Sequence, residues 1–452
     1  MWLDRKTSYF NRQHDIVLMN PLFAGAPILF VASRRVVQQL LGNEAKLRLV
    51  KPVELTLQSL IGDSLASASG DAWRRHRRIL SPAFNTSLYS LAWDEASVAY
   101  EEVVYSEGWL TERQFDVSSI NHIVHKFSLM MISRCAFGIP LAYEEPTSNP
   151  ANPDFPEALV RIIKDFVLFA IVPRRMFNLP FKRLRIAKIS WQKVESEIKA
   201  LLRSRSSQES KAGEDNADIL GRLVSSSGKL ELTREELFAD IFTLMFAGHE
   251  TTASVITTTL GYLALYHQEQ DAVAAEITSV VDASGNISFA SMSNLPKLQA
   301  CLTEALRLIP PPLFLPRDTE EDITLEIEYP EKRQIVVPRG SRIIIDMVAT
   351  LRNPSYFPNP DVFKPSRWLE DNHDPDAVMF GAGPRQCIGR RFAQSTIMRF
   401  VACLLRDFEV DALTLPGETR EEYEERIMTN ATMAGTSFTL QDVPLRMTRR
   451  IK

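Results

Sequence analysis

Residues 380–393 read FGAGPRQCIGRRFA. Cys387 stands there among Gly381, Gly383, Gly389, Arg385, Arg390 and Arg391, with an apolar helical pattern following at once. A lone cysteine is most often a small buried hydrophobe. Cys135, Cys301 and Cys403 fit that role, since each sits inside an apolar helical pattern. Cys387 does not. At a helix N-terminus the free N–H groups and the helix dipole favour a thiolate. Zinc is disfavoured, because no second Cys or His lies at ligand spacing. A dinucleotide loop is disfavoured too: Gln386 takes the third glycine place of G-x-G-x-x-G, and no strand precedes it. A nucleophile whose base is brought in by the fold stays open. The remaining reading is a thiolate held toward a large group that needs close backbone approach and cationic partners. Haem iron with its two propionates meets both demands.

Three further constellations could carry chemistry. Ala247-Gly248-His249-Glu250-Thr251-Thr252 lies in the middle of the longest helical pattern. Glycine costs up to about 1 kcal/mol in a helix interior, and threonine is a poor helix former. The expectation is a local opening of the helix there; the plain alternative is a core helix with an awkward polar patch. A zinc protease is excluded, because Ala253 stands where H-E-x-x-H needs its second histidine. Glu304 and Arg307, three residues apart, share a helix face and can pair. DAWRRHRRIL, residues 71–80, reads as a basic helix, with Arg74, Arg75 and Arg78 on a solvated face.

FGAGPRQCIG matches F-x-x-G-x-R-x-C-x-G at every specified position, and so resembles the haem-thiolate signature of the cytochromes P-450. Four more segments are similar to that family in the same order along the chain: Trp73-x-x-x-Arg77, Ala247-Gly248-x-Glu250-Thr251-Thr252, Glu304-x-x-Arg307, and FKPSRW with Phe363, Pro365 and Arg367. The resemblance covers nearly the whole chain and points to a eukaryotic, fungal-type, membrane-associated class. It implies haem b as cofactor with Cys387 as the metal ligand. It implies that Arg385, Trp73, Arg77 and Arg317 reach the propionates. Phe380 would pack near the sulfur, and Gly383 and Gly389 would let the loop pass close to the porphyrin. Glu250 and Thr251 would serve dioxygen activation, and Glu304, Arg307 and Arg367 would form a structural triad ordering the stretch before the cysteine. The implied partners are an NADPH-cytochrome P-450 reductase, with cytochrome b5 as a second donor, and the implied location is the cytosolic face of the endoplasmic reticulum. Members of that class begin with an apolar anchor and a proline-rich hinge, and neither is present in this sequence.

The elements that must position these residues are mostly helical. Apolar periodicity predicts helices over about 33–41, 71–84, 88–106, 117–137, 156–171, 186–204 and 294–309. Thr233 and Glu236 spell a capping box, and the pattern from there runs to about His267, near 35 residues or about 50 Å. Extended segments are predicted at 16–31, with Pro21 and Gly25 as turn signals, at 320–350, and from 408 on. Residues 351–386 read as a long irregular stretch and 203–218 as a flexible loop. The fold class is mainly α with small β-sheets. The resemblance makes it one domain over 1–452, a triangular prism with a long central helix over the haem and a haem core at about 230–410. Phe242, Leu244, Ala247, Leu313 and Phe314 are expected to line a mostly apolar substrate pocket.

The totals set limits. The chain has 452 residues, 45% of them hydrophobic, enough for a sizeable core. A net charge of -4 gives no basic excess for nucleic acid. Four cysteines are too few for a disulfide scaffold. No run of about 18 apolar residues exists, and the polar start MWLDRKTSYFNRQHD is no signal peptide. Residues 166–182, FVLFAIVPRRMFNLPFK, combine an apolar run with basic flanks and are expected to lie on a membrane surface; a buried helix pair joined at Pro173 is the alternative. The reading is a monooxygenase that inserts one oxygen atom from O2 into a lipophilic molecule, with electrons from a separate reductase. The alternatives are a peroxygenase or haem isomerase on the same fold, or a haem-binding protein without turnover.

Overall fold

The computed structural model describes residues 9–10, 14–20, 26–42, 49–52, 61–143, 153–165, 168–169, 172–209, 219–226, 232–369, 379–434 and 437–450. One helix organises them. Arg234–Leu265 runs for 32 residues, opened by the Thr233–Glu236 capping box in both directions. It is apolar around most of its circumference, which is the pattern of a helix enclosed on all sides. Tyr266 ends it and a second helix, His267–Val280, follows directly.

The predicted opening at Ala247–Thr252 is not there: the helix is continuous through it. The glycine answers a different demand. A Cβ on Gly248 would lie 2.9 Å from Ile132 Cδ1, so its bare backbone lets the helix Ile120–Phe137 pack close. Thr251 returns its hydroxyl to the Ala247 carbonyl at 2.7 Å, which satisfies the group without breaking the helix.

The other helices form around this axis. Ile120–Phe137 ends on Gly138 in the left-handed region, φ +63°. Thr86–Ser106 lies against Arg390–Asp407, where Tyr100 and Phe400 meet edge to face at 5.8 Å and Phe127 adds a ring at 4.4 Å. Pro296–Leu308 carries Glu304 and Arg307. Gly70–Leu80 carries Trp73 and Arg77.

The β structure is peripheral. Strands β1 (Ile16–Met19), β2 (Ile28–Val31), β3 (Leu49–Val50), β5 (Phe314–Thr319) and β8 (Arg342–Asp346) form one sheet in the order β1-β2-β8-β5-β3. Only the β2–β8 pair is parallel. The hairpin of β6 (Ile323–Ile327) with β7 (Arg333–Val337) stands apart. Strand β4 (Gln114–Val117) joins β9 (Phe408–Ala412) and β12 (Leu445–Arg449), and β10 (Thr432–Ala434) pairs with β11 (Ser437–Thr439).

Several expectations need correction. Lys182–Glu209 is one helix, so the first part of the predicted 203–218 loop is helical, and residues 210–218 lie outside the described residues. Strand β4 precedes the helix predicted from 117, too short and too polar to announce itself. Met347–Leu351, placed in an extended stretch, is a helical turn capped by Asp346. Phe314–Thr319, between the helix predicted to end at 309 and the extended segment predicted from 320, is a strand. The Pro21–Gly25 turn lies outside the described residues.

Candidate haem site

The cysteine loop is fixed from two sides. Cys387 N–H donates to the Phe380 carbonyl at 2.9 Å, and Gln386 N–H to the Gly383 carbonyl at 3.1 Å. Gly383 sits at φ +65°, and a Cβ there would fall 2.2 Å from the Leu41 carbonyl oxygen. The nearest demand on this glycine is thus the backbone at Leu41. Gly389 has an ordinary φ of -83°, and a Cβ on it would meet nothing closer than the Phe84 ring at 4.0 Å. The helix Arg390–Asp407 begins next, and its first N–H groups point back at the sulfur.

Cys387 is the exposed one of the four cysteines; Cys135, Cys301 and Cys403 are buried. Burial pushes the Cys387 thiol up, while the N–H groups of Gly389 and Arg390 and the Arg77 guanidinium pull the other way. Burial pushes Cys135 up to about 12 with little to oppose it. Cys403 sits in the helix interior with Ser97 at 3.9 Å and is also raised by burial.

Cations gather at the loop, and neither Arg385 nor Arg317 pairs with a carboxylate among the described residues. Arg385 stacks over the Trp73 ring at 4.6 Å and donates through Nη2 to the Ala68 carbonyl at 2.7 Å. Its Nη1 is buried and finds no hydrogen-bond partner among the described residues. Arg317 is buried and donates only to the Pro316 carbonyl, at 2.7 Å. Burial brings both guanidiniums down to about 10, with Arg317 adding its repulsion at Arg385. Arg77 reaches the Gln386 carbonyl at 3.0 Å, which ties the Trp73 helix to the cysteine loop. Phe380 lies under the Arg390 guanidinium at 5.8 Å.

A buried cation without an acid costs free energy that only an anion can return. Haem b supplies two carboxylates and an iron that takes a thiolate. The orphaned Arg385 Nη1, the unpaired Arg317 and the exposed Cys387, with two N–H donors to hold it as thiolate, fit that group.

The facing wall belongs to the central helix. From Ala239 to Ala264 every residue is buried except Ala247, Gly248 and Thr251. Ala247 and Thr251 share a face one turn apart. Glu250 is buried beside them and accepts from Ser437 Oγ on β11 at 3.3 Å. Leu244 and Leu313 are buried, and Phe314 is 39% exposed on β5, edge-on to Phe30 at 6.3 Å. Phe242 differs from its expected place: it has no accessible surface and stacks between Phe238 and Phe246 beside Trp191.

Away from the cleft, Glu304 gathers a buried network. Its carboxylate accepts from Arg307 Nε and Nη2 at 2.8 and 2.9 Å, Arg367 Nε at 2.9 Å, the Lys364 N–H at 2.9 Å and Trp368 Nε1 at 2.8 Å. Burial alone pushes Glu304 up, but Arg307 and Arg367 hold it below the ordinary glutamate range. Arg307 also donates to the carbonyls of Leu351 and Pro360, and so pins the irregular stretch before residue 370. Residues 370–378 lie outside the described residues.

Sequence reasoning missed several partners and two buried histidine pairs. Trp368 was legible as the last letter of FKPSRW. Ser437 left no signal, since a serine in a short strand has no periodicity to stand out from. His76 bonds Asp240 on the central helix at 2.6 Å, fully buried, and was hidden in the basic run. His249 meets His125 at 3.3 Å, and burial brings the pair down to about 3 and about 4, so both are neutral. The predicted solvated face is also modified: Arg74 pairs with Asp71 and Arg75 with Glu236.

Comparison with known proteins agrees with this geometry. The family model described as Cytochrome P450 matches residues 10–434. The chain is 26% identical over 442 residues to cytochrome P450 monooxygenase 124 of Postia placenta, covering 95% of this chain and 84% of that one. It is 30% identical over 392 residues to cytochrome P450 4F5 of Rattus norvegicus, covering 80% and 72%. Among solved structures, a cytochrome P450 (CYP102L1) superposes with TM-score 0.78 at 21% identity, over 98% of this chain and 96% of that one. The cytochrome P450DA heme domain gives 0.77 at 21%, over 97% and 90%. The chain therefore belongs to the cytochrome P450 family, and with it to the oxidoreductases that work on haem b.

Proposed function

We propose that this chain is a haem-thiolate monooxygenase, catalysing R–H + O2 + two electrons + two protons to R–OH + water. The observation that carries the reading is Cys387, the exposed one of the four cysteines, in a loop with the half-buried Arg385, whose Nη1 has no hydrogen-bond partner among the described residues. Bound haem supplies dioxygen activation, with the thiolate pushing electron density onto the iron. Cys387 would hold the haem iron through its sulfur, and the N–H groups of Gly389 and Arg390 with the Arg77 guanidinium would hold its charge. Arg385 and Arg317 take the haem carboxylates, and Trp73 holds Arg385 in place by stacking. Phe380 flanks the sulfur.

On the opposite wall, Leu244, Ala247 and Leu313 offer an apolar surface for a lipophilic substrate. Glu250 and Thr251 handle protons. Glu250 receives a hydrogen bond from Ser437 and so connects the cleft wall to the C-terminal hairpin. The Thr251 hydroxyl donates to Ala247 and keeps its lone pairs toward the cleft, ready to accept from water and pass a proton on.

The described residues contain no helix long and apolar enough to cross a membrane. Membrane contact is assigned to 166–182, within which Met176 and Leu179 are exposed, together with the neighbouring Phe181. Residues 166, 167, 170 and 171 lie outside the described residues. Electrons come from a separate NADPH-cytochrome P450 reductase, with cytochrome b5 as a second donor, at the cytosolic face of the endoplasmic reticulum. The chain is taken as one domain.

The test is turnover with NADPH, reductase and isotopically labelled dioxygen across a lipophilic library. One labelled oxygen in the product supports the reading. Product that forms only with peroxide, or carries no label, rejects it.

A further inference from the structure

The cation set around the haem site extends to a residue outside the signature segments. Strand β3 pairs antiparallel with β5, Leu49 facing Thr319 and Val50 facing Asp318. Continuing that register by one residue sets Lys51 opposite Arg317, and facing residues of an antiparallel pair project to the same side. The ammonium of Lys51 donates to the Ala66 carbonyl, and Arg385 grips the Ala68 carbonyl two residues on. Lys51 and Arg385 thus both hold the short segment 66–68, and Arg317 lies across the strand pair from Lys51.

None of the three has a carboxylate partner among the described residues. The nearest acid on the strand, Asp318, is taken by Arg342 through two bonds of 2.8 Å. Burial holds Lys51 well below its ordinary value, and the repulsion of Arg317 and Arg385 adds to it. A cluster of this kind is costly when empty of anions and relieved by exactly the charge that two carboxylates bring.

We propose that Lys51 is a third cationic contact for the haem carboxylates, acting with Arg317 and Arg385. This rests on the haem reading above. Lys51 contributes a compact ammonium on a flexible stem, with donors left over after its bond to the Ala66 carbonyl, beside the planar guanidiniums of Arg317 and Arg385. The competing role is structural: Lys51 could do no more than pin the 66–68 segment through Ala66.

The test separates the two by changing the cofactor. Holoprotein is loaded with haem or with its dimethyl ester, which lacks the carboxylate charges, and loss to excess apomyoglobin is timed. Lys51→Gln keeps a donor for Ala66 and removes the charge; Lys51→Arg restores the charge. Lys51→Gln is expected to speed loss of haem by roughly tenfold, the worth of one hydrogen bond to a charged group. It should leave loss of the ester unchanged, with Lys51→Arg near wild type. Equal acceleration with both cofactors would make Lys51 structural, and no acceleration with haem would remove it from the site. Wild type that holds the ester as long as haem would show that this cluster reads no carboxylate at all. Failure of wild type to take up haem would instead overturn the parent reading.

Discussion

Removing the Glu304 carboxylate tests the buried network that pins the irregular stretch before residue 370. Five donors converge on it: two from Arg307, one from Arg367, the Trp368 indole and the Lys364 amide. Arg307 and Glu304 have no exposed side-chain surface, and Arg367 has 6%. Glu304→Ala would leave two guanidiniums buried without a counter-charge, at a cost of roughly 3–5 kcal/mol. A domain's whole stability is about 5–15 kcal/mol, so roughly a fifth of it or more should vanish. The assay is denaturant unfolding of the holoprotein with haem content per chain. The expected result is a lower midpoint and haem-poor protein. The pH dependence carries a sign. Glu304 is held below its unfolded value, so its contribution is complete above the ordinary glutamate range and is lost as pH falls through the depressed value. Wild type should therefore lose stability to acid over that window more steeply than Glu304→Ala. A variant within about 1 kcal/mol of wild type, with full haem, would mean the network has the worth of an exposed ion pair only.

Further outcomes follow from single contacts. Gly248→Ala should cost about 1–3 kcal/mol by overpacking against Ile132, with recovery in the Gly248→Ala/Ile132→Val pair; thermal unfolding reads both, and an unshifted midpoint would refute the packing role. Thr251→Ala should bind haem and substrate normally yet convert most NADPH into hydrogen peroxide; an unchanged product-to-NADPH ratio would take Thr251 out of the proton path. Replacing Met176, Leu179 and Phe181 by serine should weaken binding to anionic liposomes by more than tenfold, since each buried apolar side chain is worth about 1.5–3 kcal/mol and about 1.4 kcal/mol is tenfold; equal binding would move the membrane contact elsewhere.

The fold class and the helical frame were legible because long helices repeat their pattern. The Thr233–Glu236 box marked the start of the central helix to the residue, and 3.6-residue periodicity located most of the others. Short elements were not: β4 has four residues, QFDV, and Phe314–Thr319 contains a proline that reads as a stop. The polar patch at 247–252 was legible as unusual but not for the right reason. Its glycine answers to Ile132, more than a hundred residues away, and no local rule records that distance. The cysteine loop stood out by its composition, and its match to F-x-x-G-x-R-x-C-x-G supplied the reading of it. The acids and cations that complete its surroundings are joined by register and packing, as with His76 and Asp240, and a sequence read linearly does not place them together.

The central claim is that Cys387 supplies the thiolate. The most direct measurement is the absorption spectrum of the reduced carbon monoxide complex in four single variants. Cys387→Ser should lose the red-shifted band that marks a thiolate ligand. Cys135→Ser, Cys301→Ser and Cys403→Ser should keep it, because those sulfurs are buried away from the cleft. Survival of the band in Cys387→Ser, or its loss in Cys403→Ser with the fold intact, would contradict the account.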